Sequence, residues 1–209
     1  MALAFLLIII CAISLFFMGS IPAWVCVALA FGGLFGLFAL GFINQRRSDM
    51  LRRRGRQLQA RWGLHVYHYG GVPLPFATEG NLFLTNSQML LETEYGQLSI
   101  PLTTIEKILL LNSRQVPRLS GGLLADLLEL SKALSFADIQ EKMDQHDPAG
   151  RNHALIMMIF NSPTKDVNLL ILATARRLSL VARLFANPIL PTDKIRLLGP
   201  DGTTELSVI

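Results

Sequence analysis

Histidines and nearby carboxylates are the side chains in this sequence best suited to metal or acid–base chemistry. His65 and His68 stand three residues apart, and His146 and His153 flank a Pro-Gly loop beside two aspartates. Residues three apart on a strand point to opposite faces, so His65 and His68 do not suit one metal ion unless the strand is bulged. We expect no metal and no cofactor, and a surface loop around residues 144–153; a weak metal site is the alternative at both places.

The sequence carries no catalytic signature of an enzyme. The sequence contains no P-loop, no dinucleotide-binding fingerprint and no G-x-S-x-G elbow. Cys11 and Cys26 are the only cysteines, and both lie in apolar segments where they suit packing. We therefore expect a protein that is not an enzyme.

The N-terminal segment is strongly apolar, since residues 1–45 contain no Asp, Glu, Lys, Arg or His. Two apolar runs, residues 2–18 and 21–43, are separated by a Gly-Ser-Ile-Pro turn. A membrane-spanning helix needs about 20 residues. The sequence thus predicts a transmembrane hairpin over 1–43, with a cleaved signal peptide over 1–18 as the alternative.

A basic segment, residues 44–62, follows the apolar runs and carries seven arginines against Asp49 alone. The positive-inside rule then predicts an integral membrane protein, of the bacterial inner membrane, with both termini in the cytoplasm. The segment is either a topology signal only or a contact with anionic lipid headgroups; it lacks the interleaved aromatics of a nucleic-acid surface, and we expect no nucleic acid. The predicted headgroup contacts are Arg46, Arg47, Arg52, Arg53, Arg54, Arg56 and Trp62.

A row of small residues, Ala28, Gly32 and Gly36, repeats every four positions in the second apolar run. Such a row lies on one helix face and lets another helix approach closely. The neighbour is either the first helix of the hairpin or a membrane protein partner, including a second copy.

The pattern changes at residue 63 to short strands separated by turn residues, and a helical period follows from an N-cap at Thr174 to Asn187-Pro188. Six or seven antiparallel strands and one helix predict a partly open barrel over 63–188. Residues 189–209 predict a C-terminal hairpin, or a disordered tail.

Two segments of this domain resemble the GRAM and bacterial PH-like domains. They are Gly-Asn-Leu-Phe-Leu-Thr-Asn-Ser-Gln-Met-Leu-Leu at 80–91 and Ile-Pro-Leu-Thr-Thr-Ile-Glu-Lys-Ile at 100–108. The resemblance covers about 63–187 and implies a PH-like fold, which hosts lipid binding, protein binding and scaffolding alike. The predicted fold class is therefore two transmembrane α-helices followed by an α+β, mainly β, PH-like partly open barrel with a C-terminal helix and a helical insertion.

Residues 119–148 form the predicted insertion, in which a leucine-rich helix precedes a second helix that begins at Ser135. The leucine face either packs on the barrel or docks a partner. The residues predicted to dock a partner are Leu123, Leu124, Leu127 and Leu128.

These features together predict a non-enzymatic, membrane-anchored interaction module that serves as an accessory or assembly subunit of a larger membrane protein complex. The alternative is a PH-like membrane protein that binds or senses anionic lipids through the basic segment and the open end of the barrel.

Overall fold

A computed structural model describes residues 10, 23–112, 136–147, 150, 153–161, 167–199 and 202–205. The chain divides into two compact units, residues 1–54 and 55–209. The first unit contains most of one helix, α1, and the second contains the sheet.

Helix α1 extends over Ala23–Gln57, a length of 35 residues. It joins the second apolar run and most of the basic segment into one continuous helix. Its N-terminal part contains Gly32, Gly33, Gly36 and Gly41, which add no apolar side chain.

The prediction of two transmembrane helices is wrong. Among the residues that the structure describes, no helix has both the length and the apolarity needed to cross a membrane. The prediction used the absence of charge as its criterion, whereas the second predicted span is only part of a longer helix that is rich in glycine and then in arginine. The first predicted span lies outside the described residues, apart from Ile10. The predicted localisation as an integral membrane protein depended on these spans and is wrong for the same reason.

The second unit contains a sheet of nine described strands in the order β4-β3-β2-β1-β7-β6-β5-β8-β9. The strands are β1 (Trp62–Gly70), β2 (Thr78–Leu84), β3 (Gln88–Thr93), β4 (Gly96–Pro101), β5 (Ile105–Asn112), β6 (Ala154–Asn161), β7 (Val167–Thr174), β8 (Ile195–Gly199) and β9 (Gly202–Glu205).

Short turns fix the register of the first four strands. Between β2 and β3 the hydroxyl of Thr85 donates to the carbonyl of Gln88 at 2.9 Å, and the backbone N–H of Gln88 donates back at 3.2 Å. Leu84 consequently pairs with Met89, and both side chains are buried. A one-residue shift would move both side chains to the opposite face of the sheet and out of the main core, so burial also specifies this register.

One face of the sheet encloses the main hydrophobic core, to which strands β1 to β8 all contribute. Ile100 of β4 and Ile105 of β5 belong to this core, so the sheet curves around it. The sheet remains open, because β4 and β9 stand at the two ends of the strand order.

The opposite face is also buried over β5, β6 and β7. Leu109, Met157 and Ile171 are fully buried there, and Met143 of α2 (Phe136–His146) joins this second cluster. Strands that are buried on both faces read as continuous apolar runs rather than as alternating ones. This explains the runs at 154–160 and 169–173 in the sequence.

Helix α3 covers Leu178–Phe185 and packs Val181 and Phe185 into the main core. Thr174, the predicted N-cap of this helix, instead ends β7, and its hydroxyl donates to the carbonyl of His65 at 2.8 Å. The helix begins four residues later, after a bend at residues 175–176 and after Arg177, whose backbone is still extended.

The C-terminal residues extend the sheet beyond an antiparallel meander. β8 and β9 form a hairpin, and β8 also pairs in parallel with β5. The sequence analysis predicted antiparallel strands only, so it missed this mixed pairing, which depends on a long-range contact rather than on a local turn.

Candidate functional site

His65 and His68 lie on opposite faces of β1. Nε2 of His65 is 2.7 Å from Oε1 of Glu79 on β2, a hydrogen-bond distance between two partly exposed side chains. His68 is buried at 2 % exposure. Within the described residues no group of three or more His, Cys, Asp or Glu side chains is placed to hold a metal ion.

The imidazole of His68 lies in a buried environment that favours its neutral form. Nδ1 lies 3.2 Å from the carbonyl of Pro75, while Nε2 is buried without a hydrogen-bond partner. Burial lowers the pKa of His68 from the usual value of 6.5, and the backbone hydrogen bonds of Pro75 and Gly70 oppose the shift. Because burial favours the neutral form of an imidazole, His68 does not supply a cationic site.

His146 and His153 have different contacts in the structure. His146 ends α2, and its Nδ1 lies 3.0 Å from the hydroxyl of Tyr69 on β1. His153 is exposed, and its backbone N–H donates to the carbonyl of Thr174. The nearby carboxylate of Asp144 is exposed on α2. His146 thus contributes to packing between α2 and the sheet.

The predicted headgroup contacts fall into two groups. Arg46, Arg52, Arg53, Arg54 and Arg56 are exposed on α1, and Arg47 lies on the same helix. The guanidinium of Arg46 lies 4.4 Å from the ring centroid of Phe42, a cation–π distance.

Trp62 is buried, whereas the described arginine side chains are exposed. It is 9 % exposed, and its ring centroid lies 5.0 Å from that of Phe185 in the main core. The sequence analysis placed Trp62 at a membrane interface because it follows the arginines. In the structure Trp62 is instead the first residue of β1 and faces inward.

The predicted helix-packing row is open where the structure describes it. Ala28 and Gly32 are exposed, and Gly36 is partly exposed. A Cβ built at Gly32 would meet no atom within 4 Å. The contact of this row with a neighbouring helix stays a prediction. Leu123, Leu124, Leu127 and Leu128, predicted to dock a partner, lie outside the described residues.

A row of exposed phenylalanines on α1 escaped the sequence analysis. Phe31, Phe35, Phe38 and Phe42 are 68, 77, 76 and 56 % exposed. Their spacing of four, three and four residues places them within about 60° of arc on the helix. We call these four residues the phenylalanine stripe. The spacing was visible in the sequence, but the surrounding apolar residues concealed it.

An apolar groove opens between the loop after β1 and the β3–β4 hairpin. Its volume is about 170 Å³, and its lining includes Leu74, Leu91, Tyr95 and Leu98. No Lys or Arg lines it. Phosphate recognition uses Arg, Lys or converging N–H donors, so this lining does not favour a phosphorylated headgroup in the groove.

Comparison with known proteins found no matching protein-family model and no matching curated protein. The resemblance to the GRAM and PH-like domains therefore stays a prediction based on residues 80–91 and 100–108.

Proposed function

We propose that this chain is a non-enzymatic interaction protein that binds a partner protein through α1. The observation that carries the proposal is the exposure of the phenylalanine stripe. Scattered apolar residues are normal on a protein surface, but a contiguous apolar patch marks an interaction site. Burying such side chains yields roughly 25 cal/mol per Å² of apolar surface.

The sequence around the stripe supports burial of the whole N-terminal part of α1 in an assembly. From Ala23 to Gln45 the helix carries no charged residue on any side. A helix that presents no charged face to solvent is normally buried against another element. A partner with an apolar groove would cover the stripe in the helix-in-groove mode, in which side chains at positions i, i+4 and i+7 are the anchors.

Charge indicates the chemistry of the partner. Arg46 and Arg53 follow the stripe on nearly the same face of α1, and both are exposed. Two parallel copies of α1 would bring their arginines together, which is unfavourable. The best fit is therefore a different protein whose apolar groove continues into acidic residues.

The arrangement fits a protein groove better than the surface of an anionic membrane. A helix that lies in a membrane surface has apolar and basic residues on opposite faces along its length. In α1 the apolar residues come first and the arginines follow along the axis. Binding to anionic lipid is the alternative.

The test places a photo-crosslinking amino acid at Phe35 of the full-length chain in its own cells. We expect one protein to be crosslinked, through a peptide that contains apolar and acidic residues. Phe38→Glu and Arg53→Glu should each reduce the yield at least fivefold.

Gly41→Glu is the matched control, because it adds a carboxylate at an exposed position about 90° from the stripe, where a Cβ meets no atom within 4 Å. Crosslinking that Phe38→Glu and Gly41→Glu reduce equally would contradict the proposal. Crosslinks to lipid only, together with binding of the purified chain to phosphatidylglycerol vesicles but not to phosphatidylcholine vesicles, would favour the lipid alternative.

A further inference from the structure

The outer edge of β4 is open in the part of the sheet that the structure describes. β4 stands at one end of the strand order, and no described strand pairs with its outer side. Its inner side pairs with β3 along the whole of β4, from Gly96 to Pro101. A free edge is a template on which an extended segment can add a strand.

The hairpin between β3 and β4 determines which backbone groups of β4 face outward. Its turn has two residues, and Thr93 pairs with Gly96 across it. In a two-residue hairpin this closing pair is hydrogen-bonded, and hydrogen-bonded pairs alternate with non-bonded ones along the ladder. Gln97 and Ser99 therefore direct their N–H and C=O groups away from β3. Pro101, which has no N–H, follows in the same alternation, as an edge position allows.

The apolar groove lies beside this edge, on the sheet face that encloses the main core. Leu91 of β3 belongs to that core, Leu98 of β4 packs against it, and both line the groove. The loop after β1 supplies the other wall through Val72 and Leu74. Side chains directly opposite each other in a ladder point to the same face. A residue opposite Leu98 in an added strand would therefore place its side chain in the groove.

The size of the groove selects the ligand. Its volume is about 170 Å³, whereas small-molecule sites have roughly 300–1,000 Å³. A cavity of about 150 Å³ holds a benzene molecule. The groove therefore suits one phenylalanine or leucine side chain better than a cofactor or another large small molecule.

Negative charge lies at the turn end of the groove. Glu94 and Tyr95 form the turn, and both side chains are exposed. The carboxylate of Glu94 raises the pKa of the Tyr95 hydroxyl through its charge and through a hydrogen bond. Tyr95 lines the groove, whereas no Lys or Arg does. A basic side chain is thus the electrostatic complement at this end.

We propose that the outer edge of β4 and the apolar groove together bind an extended segment of another protein, antiparallel to β4, through a Phe or Leu anchor followed by Lys or Arg. Antiparallel pairing is the more stable kind, and it directs the C-terminal end of the added strand toward the turn. With the anchor opposite Leu98, the residue three positions later lies opposite Tyr95, beside Glu94. The site uses no residue of the phenylalanine stripe, so it does not depend on the function proposed for α1.

The test measures binding of fluorescent heptapeptides to the full chain by anisotropy. The probe is Thr-Thr-Thr-Phe-Thr-Thr-Lys, in which threonine favours the extended conformation. It should bind at least tenfold more tightly than the same peptide with Ser in place of Phe. Equal binding of these two peptides would overturn the proposal. So would no binding of the probe at about 1 mM, which is the result expected if another part of this chain already occupies the edge.

N-methylation of the probe separates strand addition from simple filling of the groove. A residue opposite Leu98 directs its N–H away from β4, whereas the next residue directs its N–H toward β4. N-methylation of the threonine after Phe should therefore weaken binding at least tenfold, and N-methylation of Phe itself is the matched control and should change it less than twofold. Equal effects would show that no strand is added and would refute the proposal.

Deuterium exchange in the natural chain locates the bound probe. A saturating probe should slow exchange of the amides of Gln97 and Ser99 at least tenfold, because they become hydrogen-bonded. The amide of Leu98 already donates to β3 and should change little. Unaltered exchange at both Gln97 and Ser99 would contradict the proposed position of the strand.

A pair of carboxylate substitutions tests the charge at the turn. Glu94→Gln should weaken binding of the probe at least threefold, whereas Glu141→Gln, at an exposed position of α2, should bind it like the natural chain. An equal effect of the two substitutions would show that Glu94 does not recognise the basic residue and would contradict this part of the proposal.

Discussion

The hydroxyl of Tyr69 lies 3.0 Å from Nδ1 of His146, so that β1 and α2 are joined by a hydrogen bond across 77 residues of sequence. Tyr69 is 1 % exposed, and its ring centroid lies 6.0 Å from that of His146. This contact holds α2 on the second hydrophobic cluster, which covers the outer face of β5 to β7.

Tyr69→Phe should destabilise the second unit by about 1 kcal/mol, because it removes the hydroxyl while it keeps the buried ring. Tyr67→Phe is the control, since Tyr67 contacts His146 through its ring at 5.6 Å; its effect should stay below about 0.5 kcal/mol. Urea unfolding measures both variants. Equal effects would show that the hydrogen bond between Tyr69 and His146 adds nothing to stability.

The buried His68 predicts a loss of stability in mild acid. Its pKa is lowered in the folded chain, so below pH 6.5 the unfolded chain takes up a proton that the folded chain does not. The free energy of unfolding should therefore be fully maintained above pH 6.5 and fall as the pH decreases toward the folded pKa, with a slope of up to about 1.4 kcal/mol per pH unit.

Denaturant unfolding at pH 7.5, 6.5 and 5.5 tests this dependence on His68. His68→Leu should flatten the profile between pH 6.5 and 5.5, whereas His153→Gln, at an exposed position, should leave it unchanged. A profile of His68→Leu as steep as that of the natural chain would assign the acid sensitivity to other groups.

Short-range patterns accounted for much of the sheet. From residue 63 onward the sequence predicts short strands separated by turn residues, and the structure has β2 at Thr78–Leu84 and β3 at Gln88–Thr93, with a short turn between them. Turn residues and apolar alternation act over a few residues, so one sequence suffices to read them.

Features that depend on distant contacts were not predictable in the same way. The parallel pairing of β8 with β5 joins Ile195 to Ile108, and no local pattern specifies such a partner. Trp62 has the amphipathic character of an interfacial residue, and only its position opposite Phe185 shows that it belongs to the core.

The absence of charged residues was the least reliable sequence signal, because the wrong prediction of membrane spans depended on it. It correctly marked residues 23–45 as apolar, but it does not distinguish a membrane span from a helix that another protein covers. The spacing of the phenylalanine stripe, which includes the exposed Phe35 and Phe38, could also be read from the sequence. The uncharged residues around the stripe hid this candidate site.

Gly71 should tolerate no side chain. Its φ of +100° is unfavourable for other residues, and a Cβ would collide with the backbone carbonyl of Leu169. Gly96, with a φ of +136°, has the same conformational restriction but open space around its Cβ. Alanine substitutions at the two glycines therefore distinguish the cost of backbone strain from the cost of steric overlap.

Gly71→Ala should cost more than about 2 kcal/mol, whereas Gly96→Ala should cost about 1 kcal/mol from strain alone. The midpoints of urea unfolding, at equal m-value, measure the difference. If the two variants lost the same stability, the close approach of Gly71 to β7 would not constrain the fold.

Trp62 provides the sharpest test of a residue that the sequence analysis placed at the surface. Trp62→Ala should destabilise the second unit by about 3–5 kcal/mol, as expected for an aromatic residue deleted from a core. Trp62→Phe should cost less than about 1.5 kcal/mol, because the ring contact with Phe185 remains and the buried indole N–H has no hydrogen-bond partner to lose.

Arg61→Ala is the control at the neighbouring exposed position. It removes a hydrogen bond to Asn86 at 2.9 Å and should cost less than about 1 kcal/mol. Thermal and urea unfolding give the three values. Loss of stability in Arg61→Ala as large as in Trp62→Ala, or none in Trp62→Ala, would contradict the placement of Trp62 in the core.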